Sequence, residues 1–265
     1  MKHRLNGIGS LVALSLLLPA AASDGELDVN IIIQRSVEAN QADWKVAPEY
    51  SYFERDREEN GGTKTYSVLM ILGSPYWRLV MINGTSLSLQ EEKKEQQKLD
   101  ETIARRRRES AHESQERIAK YEKERRRDQL LMEQLTQAFE FKLVGRQRRE
   151  SYDTYVLEAM PRPGYRPSNM ETQVLTGMQG KLWIDEKSFQ WVRVEAQVVR
   201  PVTIEGFLAR VEPGTRFELE KMPIDDGVWL PKHFAMESGA KILFFFTYRT
   251  QEDQTYFNYR KVGPL

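Results

Sequence analysis

Gly180-Lys181-Leu182-Trp183-Ile184-Asp185-Glu186-Lys187-Ser188-Phe189-Gln190-Trp191-Val192-Arg193-Val194-Glu195 decides how the rest of the chain is read. Two apolar-alternating runs, Gly180 to Asp185 and Phe189 to Arg200, flank a polar quartet, Asp185 to Ser188, that turns the chain. That is an antiparallel pair. Downstream the same pattern predicts strands at Thr215 to Pro223, Val228 to Met236, Ile242 to Arg249 and Thr255 to Lys261, with turns at Asp225-Asp226-Gly227 and Gly239-Ala240. Upstream it predicts Phe141 to Arg146 and Thr154 to Ala159, then, nearer the start, Tyr50 to Glu58, Thr63 to Leu72, Tyr76 to Ile82 and Thr85 to Leu89. Asn60-Gly61-Gly62, Gly73-Ser74-Pro75 and Asn83-Gly84 turn this first group into a meander. The chain is mainly β, with about eleven or twelve strands in one antiparallel sheet.

Helices are few outside one unusual segment. Asp28 is placed to cap a helix with Val29, Ile32, Ile33 and Val37 on one stripe, ending before Pro48. Asn169 to Met178 reads as a second short helix after the proline-rich loop Pro161 to Pro167. Between Gly84 and Gly145 there is no glycine or proline, and Gln90 to Gln137 carries 25 charged residues in 48, 13 basic and 12 acidic. This predicts one long helix or two, roughly 70 Å if straight at 1.5 Å per residue. Pairs such as Glu101 with Arg105 and Glu122 with Arg126 are spaced to support it. Leu131, Leu135 and Phe139 thicken its end, so the segment reads as a polar arm anchored by its last turns.

The 265 residues hold 39 Lys+Arg against 39 Asp+Glu, 40% hydrophobic residues, a mean hydropathy of −0.60 and no cysteine. Disulfides, thiolate metal sites, cysteine nucleophiles and a lipidated cysteine are thereby excluded. Lys2, His3 and Arg4, the apolar run Ile8 to Leu18, and Pro19-Ala20-Ala21-Ala22 have the layout of a secretory signal peptide, with cleavage expected after Ala22. The division expected is residues 1–22 as signal and 23–265 as one domain with the arm 90–137 inserted. The product is expected in the periplasm, soluble, free of a lipid anchor and monomeric.

Chemistry-bearing motifs are scarce. His112-Glu113 is followed by Glu116 where a zinc protease has its second histidine, and no nucleophile elbow, P-loop or dinucleotide fingerprint occurs. Asp225-Asp226 precedes Gly227 and reads as a turn, and His233 reads as a strand residue on a polar face. No catalytic residue, metal or cofactor is expected. Arg105 to Arg108 and Arg125 to Arg127 lie among acids that leave the arm at +1, with no aromatic residue interleaved within either run for base stacking, so nucleic acid is not an expected partner. The informative surface is apolar: Trp77, Leu79 and Met81; Leu182 and Ile184; Trp191; Phe217 and Leu219; Phe234 and Met236; Phe244 and Phe246. Two short helices do not suffice to cover so many aromatic and methionine-rich stripes, and an uncovered concave apolar face binds something greasy.

Tyr155-Val156-Leu157-Glu158-Ala159, the loop Pro161-Arg162-Pro163-Gly164-Tyr165, Gly180 to Asp185, Trp191-Val192-Arg193-Val194-Glu195 and Gly227-Val228-Trp229-Leu230-Pro231 resemble the LolA/LolB-like superfamily of outer-membrane lipoprotein carriers, in its exported lipoprotein-sorting branch. The likeness runs from Asp28 to Val262, interrupted by the arm. It implies an unclosed antiparallel barrel wrapped around a few helices, with a cavity that shields acyl chains. The twelve residues named above are then candidate cavity lining. Lipoprotein or lipid acyl chains, with an outer-membrane acceptor or an inner-membrane donor, are the implied partners. The alternative is an envelope-stress sensor or adaptor that grips a partner protein through the charged arm.

Overall fold

The computed structural model describes residues 28–59, 61–204, 209–224, 227–242 and 246–262. The proposed signal segment, the Asp225-Asp226 pair and Phe244 lie outside them. Helix α1 (Val29–Val46) leads through a 3-10 turn into β1 (Tyr50–Arg57), β2 (Thr63–Ile71), β3 (Ser74–Ile82) and the two-residue β4 (Thr85–Ser86). Helices α2 (Leu89–Arg108) and α3 (Ala111–Ala138) follow, then β5 (Phe139–Arg149), β6 (Tyr152–Pro161), the short α4 (Met170–Gln173), β7 (Met178–Asp185) and β8 (Trp191–Val198). The remainder is β9 (Val202–Ile204), β10 (Ala209–Val211), β11 (Arg216–Pro223), β12 (Trp229–Ile242) and β13 (Phe246–Lys261).

All described strands join one antiparallel sheet in the order β4-β3-β2-β1-β13-β12-β11-β8-β7-β6-β5. β9 and β10 pair with each other, and β10 also pairs β12, extending the β8/β11 hairpin beyond an interruption at Val199 to Pro201. β4 and β5 are the two edges and do not meet. The sheet is an unclosed half-barrel of eleven strands around helices, the architecture expected. The paired core of the opening stretch is as predicted: Leu182 faces Val194, and Asp185 takes amide and hydroxyl bonds from Ser188 to make the turn. The predicted break at Gly239-Ala240 is corrected: both residues are paired within β12, to Arg249 and Tyr248.

The face carrying α1 is the inner face. Residues of β5 to β8 and β11 on that face pack with Ile32 and Ile33 of α1 and with Leu135 and Ala138 of α3, and Leu157 and Ile184 are wholly buried among them. α1 binds the sheet through polar groups as well as apolar ones. Ser36, Asn40 and Asp43 occupy its buried stripe. Trp191 Nε1 donates to Ser36 Oγ at 2.6 Å, and Lys221 Nζ of β11 donates to Asn40 Oδ1 at 2.7 Å and Asp43 Oδ2 at 3.0 Å. A second, smaller cluster of Val156, Trp183, Val192 and Trp229 seals part of the outer face.

The charged arm is two helices, and it is held along its length. Ser88 with Glu91 and Ser110 with Glu113 form capping boxes at the two starts, so the second serine ends the first helix and opens the next. At this elbow Arg106 donates to the carbonyls of Ile71 (2.7 Å), Ser74 (2.8 Å) and Pro75 (3.1 Å). Arg117 grips Glu109 and reaches Leu72 O at 3.0 Å and Ser74 Oγ at 2.7 Å. Gly73, at φ +86°, leaves room for Ile118, whose Cδ1 would stand 2.8 Å from a Cβ at that position. Anchoring is therefore at the elbow as well as in the last turns. Tyr76, which meets Thr102 of α2, and Trp77, which shares the Tyr52 side of the sheet with Tyr121 of α3, point to opposite faces. The helix pair thus straddles the β2–β3 turn, α2 outside and α3 inside.

Candidate functional site

Register places the candidate residues in rows across the inner face. One row runs Leu219, Phe234, Gln254, Asp56, Lys64 and Ile82; another runs Tyr256, Glu54, Tyr66 and Leu79; a third runs Tyr52, Val68 and Trp77. Phe217 pairs Met236 on the same face. Leu182, Ile184 and Trp191 share the face but lie sealed beneath α1 as core. Phe217 and Leu219 border that core, while Leu79, Phe234 and Met236 are half-buried and Trp77 is 46% exposed. The structure therefore divides the predicted lining into a covered half under α1 and an open half from β11 to β3. Met81 belongs to neither. An irregularity in β3 sets Leu79 against Tyr66 but Met81 against Thr65, which turns Met81 to the outer face, a correction to its predicted grouping with Trp77. Phe246 begins β13 opposite Ile242.

The open half is not uniformly apolar. Glu54 lies at its centre, 7% exposed, between Tyr66 and Tyr256, and Trp77 Nε1 donates to its Oε1 at 3.1 Å. Burial, with help from the neighbouring Asp56 charge, pushes its carboxyl up to about 7 against the pull of the Trp77 bond. Burial also raises Asp56, Tyr52, Tyr256 and Tyr259. Tyr52 and Tyr256 stand edge to face with ring centroids 5.9 Å apart, and Tyr52 and Tyr259 are 5.2 Å apart. Alternation in Tyr52-Ser51-style β sequence marks Tyr52, Glu54 and Asp56 as one face; what it does not reveal is that this face is the inner one.

A stability consequence follows from Glu54. The folded chain holds this proton more tightly than the unfolded chain, whose carboxyl titrates near an ordinary 4.5. Between pH 4.5 and about 7 the native state binds more protons, so stability falls as pH rises through that window. Glu54→Gln should therefore stabilise the protein at pH 8 by about 1–3 kcal/mol and make no difference below pH 4.5, measured by urea unfolding at both pH values.

A hollow of about 750 Å³ lies on the outer face, with Phe217 and Met236 of the predicted lining among the residues at its border. One row of its lining is Glu158, Lys181, Glu195, Glu218, Ala235 and Asp253, which are successive register partners. It is charged and laced by ion pairs, notably Arg193 with Glu195, Glu218 and Glu220. This hollow does not suit acyl chains. His233, facing the same side, shares a 3.0 Å hydrogen bond with Asp253. Among the described residues no group of His, Asp and Glu is placed to hold a metal, and no helix is long and apolar enough to cross a membrane.

No protein-family model matches the chain, and no curated protein matches it. Solved structures do. A LolA superfamily protein from Nitrosomonas europaea aligns over 89% of this chain and 94% of its own, at 14% identity and a TM-score of 0.33. A DUF1329 family protein from Desulfovibrio piger aligns over 88% and 92%, at 11% identity and a TM-score of 0.32. The MucA/MucB complex of Pseudomonas aeruginosa supplies a chain aligned over 86% and 99%, at 9% identity and a TM-score of 0.23. The architecture is the one the LolA/LolB-like resemblance implies.

Proposed function

We propose that the protein is a periplasmic, non-enzymatic carrier that holds acyl chains of a lipid or lipoprotein on the open half of its inner sheet face. The observation that carries this reading is the half-buried apolar patch of Phe217, Leu219, Phe234 and Met236, with Leu79 and the 46% exposed Trp77 beyond Glu54, on a face whose other half is closed by α1. Each buried methylene is worth about 0.8 kcal/mol, so a chain of moderate length gives ample affinity without any reacting group. Release then needs only a competing apolar surface on an acceptor.

Native mass spectrometry of the chain after incubation with bacterial membrane extract tests the reading. An adduct of acyl-ligand mass is expected, and a protein that emerges bare sinks it. Trp77→Ala should lower retention about tenfold while leaving the melting temperature within a few degrees, because the side chain is 46% exposed and its indole hydrogen bond is to Glu54. An adaptor working through the charged helices behaves differently. Arg105, Arg107 and Arg108 are exposed, and changing all three to glutamine leaves acyl retention intact on the carrier reading.

A further inference from the structure

We propose that the open inner face carries a headgroup subsite beside its apolar stripe, and that this subsite, Glu54 and Asp56 walled by Tyr52, Tyr66, Trp77 and Tyr256, selects amphiphiles with an ammonium head. The inference rests on the carrier reading and sharpens it to a ligand class. Its first support is the order of residues along the pairing. Phe234 and Met236 of β12 pair directly with Gln254 and Glu252 of β13, and Gln254 pairs with Asp56 of β1. The greasy stripe therefore ends where carboxylates begin, which is the layout for a chain followed by a polar head.

The second support is what surrounds the carboxylates. Glu54 is 7% exposed and has aromatic residues as both cross-strand neighbours, with the Trp77 indole bonded to it. Aromatic faces and a buried carboxylate together attract an ammonium group, which offers charge, polarisable contacts and, when not quaternary, donors. Third, Asp56 Oδ1 is buried and accepts no hydrogen bond, although an unmet buried acceptor is costly. Beside it opens a hollow of about 260 Å³ lined by the carboxylates of Asp56, Glu58, Glu59, Glu252 and Asp253 and by Arg57, with Gln251 and Gln254. That is room for a small head and not for a second chain.

The cations present do not cancel this field. Lys64 is committed to Glu58 at 2.9 Å, and Arg57 leans toward Asp253 at 3.8 Å. Tyr256 turns its hydroxyl onto Gln254 at 2.7 Å, leaving its ring toward Tyr52. An anionic head, sulfate or phosphate, would meet five carboxylates in the hollow's lining against the single Arg57 guanidinium, itself turned toward Asp253, and is disfavoured.

Three amphiphiles with one tail test the idea on the whole chain: decyltrimethylammonium, decyl sulfate and decyl maltoside, each titrated below its micelle concentration at pH 8 by calorimetry. The ammonium compound is expected to bind about tenfold more tightly than the sulfate. Glu54→Gln keeps an acceptor for Trp77 and should erase most of that preference while leaving maltoside affinity within about twofold. Asp56→Asn should do the same, which guards against one variant folding poorly, and circular dichroism checks both. Equal binding of all three heads, or a preference that survives in both variants, overturns the subsite and leaves the carrier reading standing. Binding of none overturns both.

Discussion

Lys221→Ala is expected to destabilise the protein by about 3–5 kcal/mol, a fall in melting temperature on the order of 10 °C, followed by circular dichroism at pH 7. The ammonium is buried and donates to Asn40 Oδ1, Asp43 Oδ2 and, at 3.5 Å, Gln190 Oε1. Burial pulls its pKa down and Asp43 pulls it back up, so the ammonium depends on its carboxylate partner. Removing the lysine leaves a carboxylate between α1 and the sheet with no counter-charge, and the desolvation penalty that the pair had offset then falls on the fold. The pair itself need not be a net gain. Lys221→Met combined with Asp43→Leu should recover most of the loss, since an apolar pair of similar volume avoids both penalties. A single-variant cost below about 1 kcal/mol would show that water already reaches the seam and that α1 is loosely seated.

Arg106→Ala should cost about 2–3 kcal/mol and, more tellingly, detach the elbow. One guanidinium satisfies three carbonyls at the β2–β3 turn, those of Ile71, Ser74 and Pro75. Hydrogen exchange read along the chain should show α2 and the first turns of α3 losing protection while β6 to β8 keep theirs. Arg106→Lys should rescue only part of the effect, because an ammonium lacks the planar fork that spans separate acceptors. Uniform loss of protection across the sheet would instead mean that the elbow is integral to the whole fold.

Strand content and turn chemistry were plain in the sequence because they rest on neighbours. Asn83 and Gly84 adopt φ of 50° and 73°, the left-handed pair that their residue types announce. Asp28 accepts from the Asn30 amide at 2.9 Å, as its position before Val29 implied. The polar seam was not legible. Ser36, Asn40 and Asp43 continue the stripe of Ile32 and Ile33, yet polar residues at those positions read as solvent-facing until Lys221, 178 residues away, supplies a reason to bury them. Lys221 shares the parity of Phe217 and Leu219, which in a bare sequence looks like the end of a strand.

The arm shows the same limit from the other side. Its charge suggested solvent, and most of its surface is exposed, but Arg106 and Arg117 differ from their neighbours only by what lies opposite. The Ser110 to Glu113 capping signature was the available sign of a break. In the candidate site, the alternation of β1 groups Glu54 with Tyr52, but its burial depends on strands from both ends of the chain.

β4 and β5 are successive strands, yet they form the opposite rims of the sheet, and α2 and α3 are the only covalent link between those rims. Helices of 20 and 28 residues, about 30 and 42 Å long at 1.5 Å per residue, hardly stretch. With α2 outside the sheet and α3 inside it, they bracket the β2–β3 turn as rods of fixed length, and the elbow pins them there. Any change in the spacing of the rims is then taken up within the sheet, where Pro201 and Gly214 interrupt the long β8/β11 hairpin. On the carrier reading proposed above, removing whole turns from α3 would alter which guests fit before it altered how tightly they are held.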